Sequence, residues 1–361
     1  MDDAQKRRAS RATRAATAVL LVAGTVACGG RSPDASRSSD RLGAVPVAAD
    51  SVTVSGFSAG GYMAVQFHVA NSSLVRGAGI FAGGPYYCAG NSLADALGRC
   101  MRGDGEISAD ELASLTSQLA LDEEIDPIAG LADDRVFLWH GSADEVVARP
   151  VVDALQAYYA TLVAPGAIER VEFDGAAHTF PADDPSLAEC GATAEPFVGH
   201  CRYAGARRML EHLYGPFGTQ RAPLRAGELR AVNQSPYVAA TGAAGLAERG
   251  WLYVPAACAG TGAPGRCRLH VVFHGCKQGT SYVDDVFVRR SGYLAAADAG
   301  GVVVLFPQVE PSFQPLNPNG CWDWWGYGSD AYATRRGPQV MAIKAMVDDL
   351  LGAAGTEKLE E

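Results

Sequence analysis

The chain has 361 residues, 48% of them hydrophobic and 19% charged, and a formal net charge of −10. That length and balance suit one large globular domain. The acidic surplus argues against nucleic acid as a partner, because phosphates would be repelled, and favours a neutral substrate.

The N-terminus stands apart from the rest. Lys6, Arg7, Arg8, Arg11 and Arg14 precede an apolar run from Ala15 to Ala27. A basic region followed by ~13 apolar residues reads as a secretory signal, too short for a comfortable membrane span. Cys28 occupies the place of a lipoprotein's lipidated cysteine. Thr25 stands where such signals carry Leu, which favours ordinary secretion over a lipid anchor. Without residues 1–27, five positive and two negative charges are gone and the net charge becomes −13. Residues 29–44 read as a flexible linker rich in Gly, Ser, Asp and Arg. Residues 45–352 form the expected catalytic domain, and 353–361 a polar tail.

Within that domain, short β-branched or aromatic runs alternate with amphipathic stretches. This is the pattern of a mostly parallel sheet flanked by helices, an α/β fold. Strands are expected at 51–55, 78–82, 136–140 and 168–173, then at 231–238, 251–255, 269–273 and 302–306. Helices are expected at 60–70, 204–214, near 291–299 and at 338–351. The last has apolar residues at 340, 343, 347 and 350, a helical period.

Four motifs lie on this frame. Gly56-Phe57-Ser58-Ala59-Gly60 is a G-x-S-x-G turn between a strand and a helix, the form of a nucleophile elbow. Gly141-Ser142-Ala143-Asp144 and Gly175-Ala176-Ala177-His178 each follow a strand, in the Ser…Asp…His order of α/β-hydrolases. His274-Gly275-Cys276 also follows a strand and reads as an oxyanion loop. In the ordinary fold that loop precedes the serine, whereas here it comes last. The order predicts a circularly permuted α/β-hydrolase whose ends fall just before the serine strand, with Val47 and Leu351 close together.

The residue types fit acyl transfer. A serine hydroxyl is a weak nucleophile until an imidazole takes its proton. Ser58 would attack, His178 would act as base and then acid, and Asp144 would orient the ring. Asp133 and Asp134 are rivals for Asp144, but they precede their strand, whereas a triad acid follows it. His140 and His68 read as packing residues. The Ala59 and Cys276 amides are the natural oxyanion donors. Residues 317–327 place Trp322, Trp324 and Trp325 within four positions, either as core or as a wall for an aliphatic chain. Residues 102–111 resemble an EF-hand loop, but Cys100 and Arg102 fall where acidic ligands belong. No C-x-x-C occurs and the histidines lack metal spacing, so neither metal nor cofactor is expected.

Cys28 aside, eight cysteines remain, an even number behind an export signal, which implies disulfides. Eight cysteines permit 105 pairings, and sequence alone does not choose. Close spacing favours Cys88–Cys100, Cys190–Cys201 and Cys258–Cys267, which leaves Cys276–Cys321. On that pairing, Cys321→Ser is expected to cost more turnover than Cys190→Ser.

Together these motifs resemble the secreted, single-domain poly(3-hydroxybutyrate) depolymerases of the circularly permuted type. The likeness runs from about Val47 to Leu351 on GFSAGG, GSAD, GAAHTF, FHGC and NGCWDWWGY. It implies Ser58, Asp144 and His178 as catalytic residues, Cys276 as an oxyanion donor, and Asn319 and Trp324 as lining of the substrate crevice. It also implies hydrolysis of the polyester or its short oligomers through an acyl-enzyme. A feruloyl or acetyl esterase is the alternative, since permutation-free relatives share the elbow and His-Gly-Cys motifs. A non-catalytic surface lipoprotein is the other. Covalent labelling by a serine-directed phosphonate separates enzyme from binder.

Overall fold

The computed structural model describes residues 41–218, 226–260 and 267–352. The export signal, Cys28, most of the linker and the polar tail lie outside the described residues. The strands are β1 Val47–Phe57, β2 Val75–Phe81, β3 Arg135–Gly141, β4 Ile168–Phe173, β5 Phe180–Ala182, β6 Ala188–Glu189, β7 Val198–His200, β8 Glu228–Asn233, β9 Arg249–Val254, β10 Cys267–Phe273 and β11 Val302–Phe306. Eight of them form one sheet in the order β4-β3-β2-β1-β10-β11-β9-β8. Only β9 runs against its neighbours. Strands β5, β7 and β6 form a small second sheet.

The central strands are buried on both faces, which explains their nearly unbroken apolar runs, such as Val302–Phe306. One face packs on helices Ala59–Ala70 and Pro338–Leu351 through Met63, Phe67, Ile343 and Met346. The other packs on helices Gly205–Tyr214 and Tyr293–Gly300 through Met209, Leu210, Ala296 and Ala297. Removing such apolar surface from water, at roughly 25 cal/mol per Å², is what holds the layers together.

The sheet order bears out the permutation. Reading from β8, the strands follow β8-β9-β11-β10-β1-β2-β3-β4, with the crossed middle pair and the antiparallel second strand of an α/β-hydrolase. The chain is therefore cut just before the serine strand. Its ends meet: the Val45 amide donates to the Leu350 carbonyl at 2.9 Å. Arg41 pairs with Asp349 at 2.8 Å, and the Leu42 amide donates to the Tyr237 hydroxyl at 2.8 Å. Thus Arg41 and Leu42, which composition assigns to the linker, are fastened to the domain.

Two departures from the expected boundaries are the largest. The serine strand begins at Val47, because Val47 already pairs with Cys267 ahead of a break in register. The strand expected over 231–238 ends at Asn233 and gives way to helix Ser235–Thr241. Pro236 lies in that helix's first turn, where its missing N–H costs nothing.

Candidate active site

The elbow depends on two glycines. A Cβ on Gly56 would lie 1.9 Å from the Gly60 carbonyl oxygen, and one on Gly60 would lie 2.1 Å from that of Phe273. Only hydrogen fits at either place, so the turn closes tightly and the helix presses against the end of β10. Ser58 at its apex has φ 55°, a conformation that side chains other than glycine rarely adopt. Strain of this kind persists where surrounding structure enforces it. Here the Ser58 amide donates to the Phe81 carbonyl at 2.9 Å.

Three strand ends then converge. The His178 Nε2 lies 2.9 Å from Ser58 Oγ, and its Nδ1 lies 2.8 Å from Asp144 Oδ2. The other Asp144 oxygen accepts the amides of Val146 and Val147 at 2.8 and 2.9 Å. Burial works to raise the Asp144 carboxyl. The bond and charge of His178, with those two amides, outweigh it and hold the group below its ordinary value. The carboxylate therefore stays charged, and its bond directs the imidazole's acceptor nitrogen toward the serine. Phe57 packs against the His178 ring with centroids 4.7 Å apart, and the His178 amide donates to Thr193 Oγ1 at 3.1 Å.

The rival acids have other partners. Asp134 is taken by His68 at 2.9 Å, whose second nitrogen meets the Tyr159 hydroxyl at 3.0 Å. His140 bonds the Val147 carbonyl at 2.9 Å and Glu172 at 3.2 Å, steadying the Asp144 loop from below. In the EF-hand-like stretch, Asp104 pairs with Arg102, and Ser108 caps helix Ala109–Leu121 by accepting the Glu111 amide. No group of three potential metal ligands occurs among the described residues.

Ala59 follows the serine directly, and Cys276 lines the same crevice as Ser58. Ala59 is the first residue of its helix, where an amide has no intrahelical partner. The Cys276 amide has no hydrogen-bond partner among the described residues. Both are thus free to bind an incoming oxygen. Gln278 holds this loop: its carbonyl oxygen accepts the Gly275 amide at 2.8 Å, and its amide donates to the Pro196 and Phe197 carbonyls at 3.0 Å. His274 is structural, with its Nε2 accepting the Val309 amide at 3.2 Å. Burial lowers its pKa to about 4.

Three disulfides join the pairs that close spacing favoured, Cys88–Cys100, Cys190–Cys201 and Cys258–Cys267, and the fourth is the remaining pair, Cys276–Cys321. The last spans 45 residues and ties the Cys276 loop to the tryptophan segment. Cys190–Cys201 also lies close to the triad histidine. The Cys190 carbonyl accepts the Ala177 amide at 3.0 Å, beside His178, and the Cys201 amide donates to Ala182 at 2.9 Å. This disulfide braces the small sheet that follows His178.

The serine opens onto a crevice of about 430 Å³. Trp324, Trp325 and Asn319 line it, with Leu93, Leu97 and Met101 opposite in sequence origin. The tryptophans divide. Trp322 is buried in the core, 5.0 Å from Phe273 and edge-on to it. Trp324 stacks on Tyr62 at 4.0 Å and meets Trp325 edge-on at 5.5 Å. Asn319 is exposed, and its carbonyl accepts the Lys277 amide at 2.8 Å.

Sequence reasoning missed the scaffold of this wall. The Asn317 side chain bonds both the carbonyl and the amide of Cys321, at 2.9 and 3.0 Å. Asp323 accepts the amides of Gly326, Tyr327 and Gly328 at 2.8–2.9 Å. Its own backbone is held by Gln339 at 2.9 Å and Gln66 at 3.0 Å. Burial raises the Asp323 carboxyl to about 6, against the opposing pull of those amides. The Asn and Asp within a Gly-rich aromatic run were the available signal, since such residues commonly fold loops around their side chains.

An elbow serine, an acid and a histidine at the ends of β1, β3 and β4 of this sheet define an α/β-hydrolase, circularly permuted. No protein-family model matches the chain. It is 41% identical to a poly(3-hydroxybutyrate) depolymerase of Delftia acidovorans over 316 residues, 87% of this chain and 62% of that one. It is 34% identical to a polyhydroxybutyrate depolymerase of Talaromyces funiculosus over 333 residues, 86% of this chain and 95% of that one. The crystal structure of PHB depolymerase from Penicillium funiculosum superposes with a TM-score of 0.79 at 32% identity, covering 87% of this chain and 99% of that chain. A PHB depolymerase complexed with R3HB trimer matches to the same extent. The chain belongs to the poly(3-hydroxybutyrate) depolymerases, which are carboxylic ester hydrolases.

Proposed function

We propose that the protein hydrolyses poly(3-hydroxybutyrate) and its short oligomers through an acyl-enzyme on Ser58. The observation that carries this reading is the Asp144–His178–Ser58 chain of 2.8 and 2.9 Å contacts at the floor of an apolar crevice. Ser58 Oγ attacks the ester carbonyl as His178 Nε2 takes its proton. The amides of Ala59 and Cys276 receive the oxyanion; one such donor is commonly worth about 10²–10³ in rate. His178 then protonates the departing alcohol, and water releases the acyl group by the same steps. Trp324 and Asn319 border the substrate chain.

The crevice suits a neutral aliphatic polyester, because its lining is mainly apolar. Four disulfides favour an oxidising compartment outside the cytoplasm. Comparing fatty-acid labelling of the parent with that of Cys28→Ser distinguishes a free enzyme from a lipid-anchored one. The function itself is tested by product analysis on a poly(3-hydroxybutyrate) film alongside a feruloylated sugar. Release of hydroxybutyrate and its oligomers is expected. Release of ferulate alone overturns the reading.

A further inference from the structure

Among the residues that line the crevice, Lys277 is the one permanent charge; no Asp or Glu is among them. It follows directly on Cys276, the proposed oxyanion donor. Its backbone has φ 56° and is pinned by the Asn319 carbonyl at 2.8 Å. The side chain is exposed, and its ammonium has neither a hydrogen bond nor an ion pair among the described residues. Every nearby side chain on this wall is neutral, including Leu316, Asn317, Pro318 and Asn319.

A polyester chain offers such a cation little along its length, since each repeat is an uncharged ester. The exception is its end. An oligomer of a hydroxy acid carries a hydroxyl at one terminus and a carboxylate at the other. At neutral pH that carboxylate is the sole formal charge on the molecule. On a protein of net charge −10, a free carboxylate is repelled overall unless a local cation receives it.

We propose that Lys277 binds the terminal carboxylate of a hydroxyalkanoate oligomer, so that the crevice selects chain ends of that kind. This rests on the function proposed above and deepens it. The chemistry fixes the direction of the bound chain. For every ester in such an oligomer, the carboxylate terminus lies on the alcohol side. When Ser58 attacks, the carbonyl-to-oxygen bond to that side breaks. The departing fragment takes its proton from His178 and carries away the carboxylate, while the hydroxyl-terminated portion remains as the acyl group on Ser58. Because Lys277 adjoins the oxyanion loop, the fragment that leaves is short.

The test compares a 3-hydroxybutyrate trimer having a free carboxylate with the same trimer as its methyl ester. The quantity read is the ratio of their kcat/KM values within each protein. General damage to the neighbouring Cys276 loop thereby cancels. An exposed ion pair supports a preference of about threefold for the free acid at low salt, falling toward unity in 0.5 M NaCl. Lys277→Gln should bring the ratio to about one, Lys277→Arg should keep it, and Lys277→Glu should invert it. A parent ratio of one, or an unchanged ratio in Lys277→Gln, overturns the proposal. Failure of the parent to hydrolyse either trimer overturns the esterase reading instead, so the two failures are distinguishable.

Discussion

The rim of the sheet is built in two ways. Ser58, Asp144 and His178 are set by strand ends: each stands a few residues beyond β1, β3 or β4, so parallel register brings them together. The crevice wall is instead made from segments between the regular elements, residues 93–101 and 316–325, held by disulfides and by buried Asn317 and Asp323. The first construction tolerates little variation in place. The second can change its lining without disturbing the sheet, as loops on a rigid scaffold generally do. Chemistry should therefore fail abruptly when a strand-end residue is changed, and selectivity should drift when the wall is changed.

The largest effect expected from this division is at Ser58. Ser58→Ala should lower ester turnover by roughly a millionfold, with thermal unfolding close to the parent's, because alanine keeps the strained Cβ and loses only the hydroxyl. A folded Ser58→Ala protein with turnover within tenfold of the parent would falsify its assignment as nucleophile.

The disulfides sharpen the comparison, since three brace the site or its wall and Cys258–Cys267 does not. Cys276–Cys321 links the proposed oxyanion loop to the wall, and Cys190–Cys201 braces the loop of His178. Cys258–Cys267 lies at the opposite end of β10. Displacing a catalytic group by ~1 Å costs about a hundredfold. Cys321→Ser is expected to lose about that much in kcat, Cys190→Ser a comparable amount, and Cys258→Ser chiefly thermal stability. Equal losses of kcat in all three, at a temperature where each is folded, would show that the bonds act on stability alone.

The same division explains what was legible in the sequence. Strands β4 and β11 and helix Pro338–Leu351 were readable to the residue because apolar runs and helical periods are local signals. The triad positions followed because each motif adjoins such a run, and permutation followed from their order. Trp322, Trp324 and Trp325 could not be sorted by alternation. Trp322 goes inward because Phe273 and His274 offer it a pocket, while Tyr62 of the elbow helix captures Trp324. Those contacts join residues more than forty positions apart. The strand expected at 231–238 failed for a local reason, the helix-starting proline at 236. The nearness of Cys190 to His178 was not legible, because the small sheet of β5, β6 and β7 is what brings its carbonyl to the Ala177 amide.

Trp324 probes the wall directly. Trp324→Ala removes the stack on Tyr62 and the surface next to the bound chain. A loss of about tenfold in kcat/KM is expected on a hydroxybutyrate trimer, consistent with ~1.4 kcal/mol of aromatic contact. A small acetate ester, which needs little of the wall, should lose much less. Equal losses on both substrates would mean that Trp324 supports the elbow and not the substrate.

The finest test concerns the residue that shapes this wall without touching the crevice. Asp323 is buried, accepts three backbone amides of the turn after Trp325, and has its carboxyl raised to about 6 from 3.8. The groups that face it are phenols and amides, Tyr327, Tyr332 and Gln339; no cation is among them. In the unfolded chain the carboxyl ionises near its ordinary value. Between pH 4 and 6 the folded protein therefore binds more protons, and this group's contribution to stability is present at pH 4 and lost as pH rises through 6. At most about 3 kcal/mol is involved. Asp323→Asn is neutral at every pH and removes the dependence, but its amide nitrogen cannot accept the third loop N–H. Urea melts of both proteins from pH 4 to 8 should show the parent losing stability relative to Asp323→Asn up to pH 6, with the difference level above. On the trimer, Asp323→Asn should raise KM a few-fold and change kcat little, because the wall moves and the triad does not. A parallel pH dependence in the two proteins would remove Asp323 as its source, and a loss confined to kcat would place its influence on the elbow through Gln66.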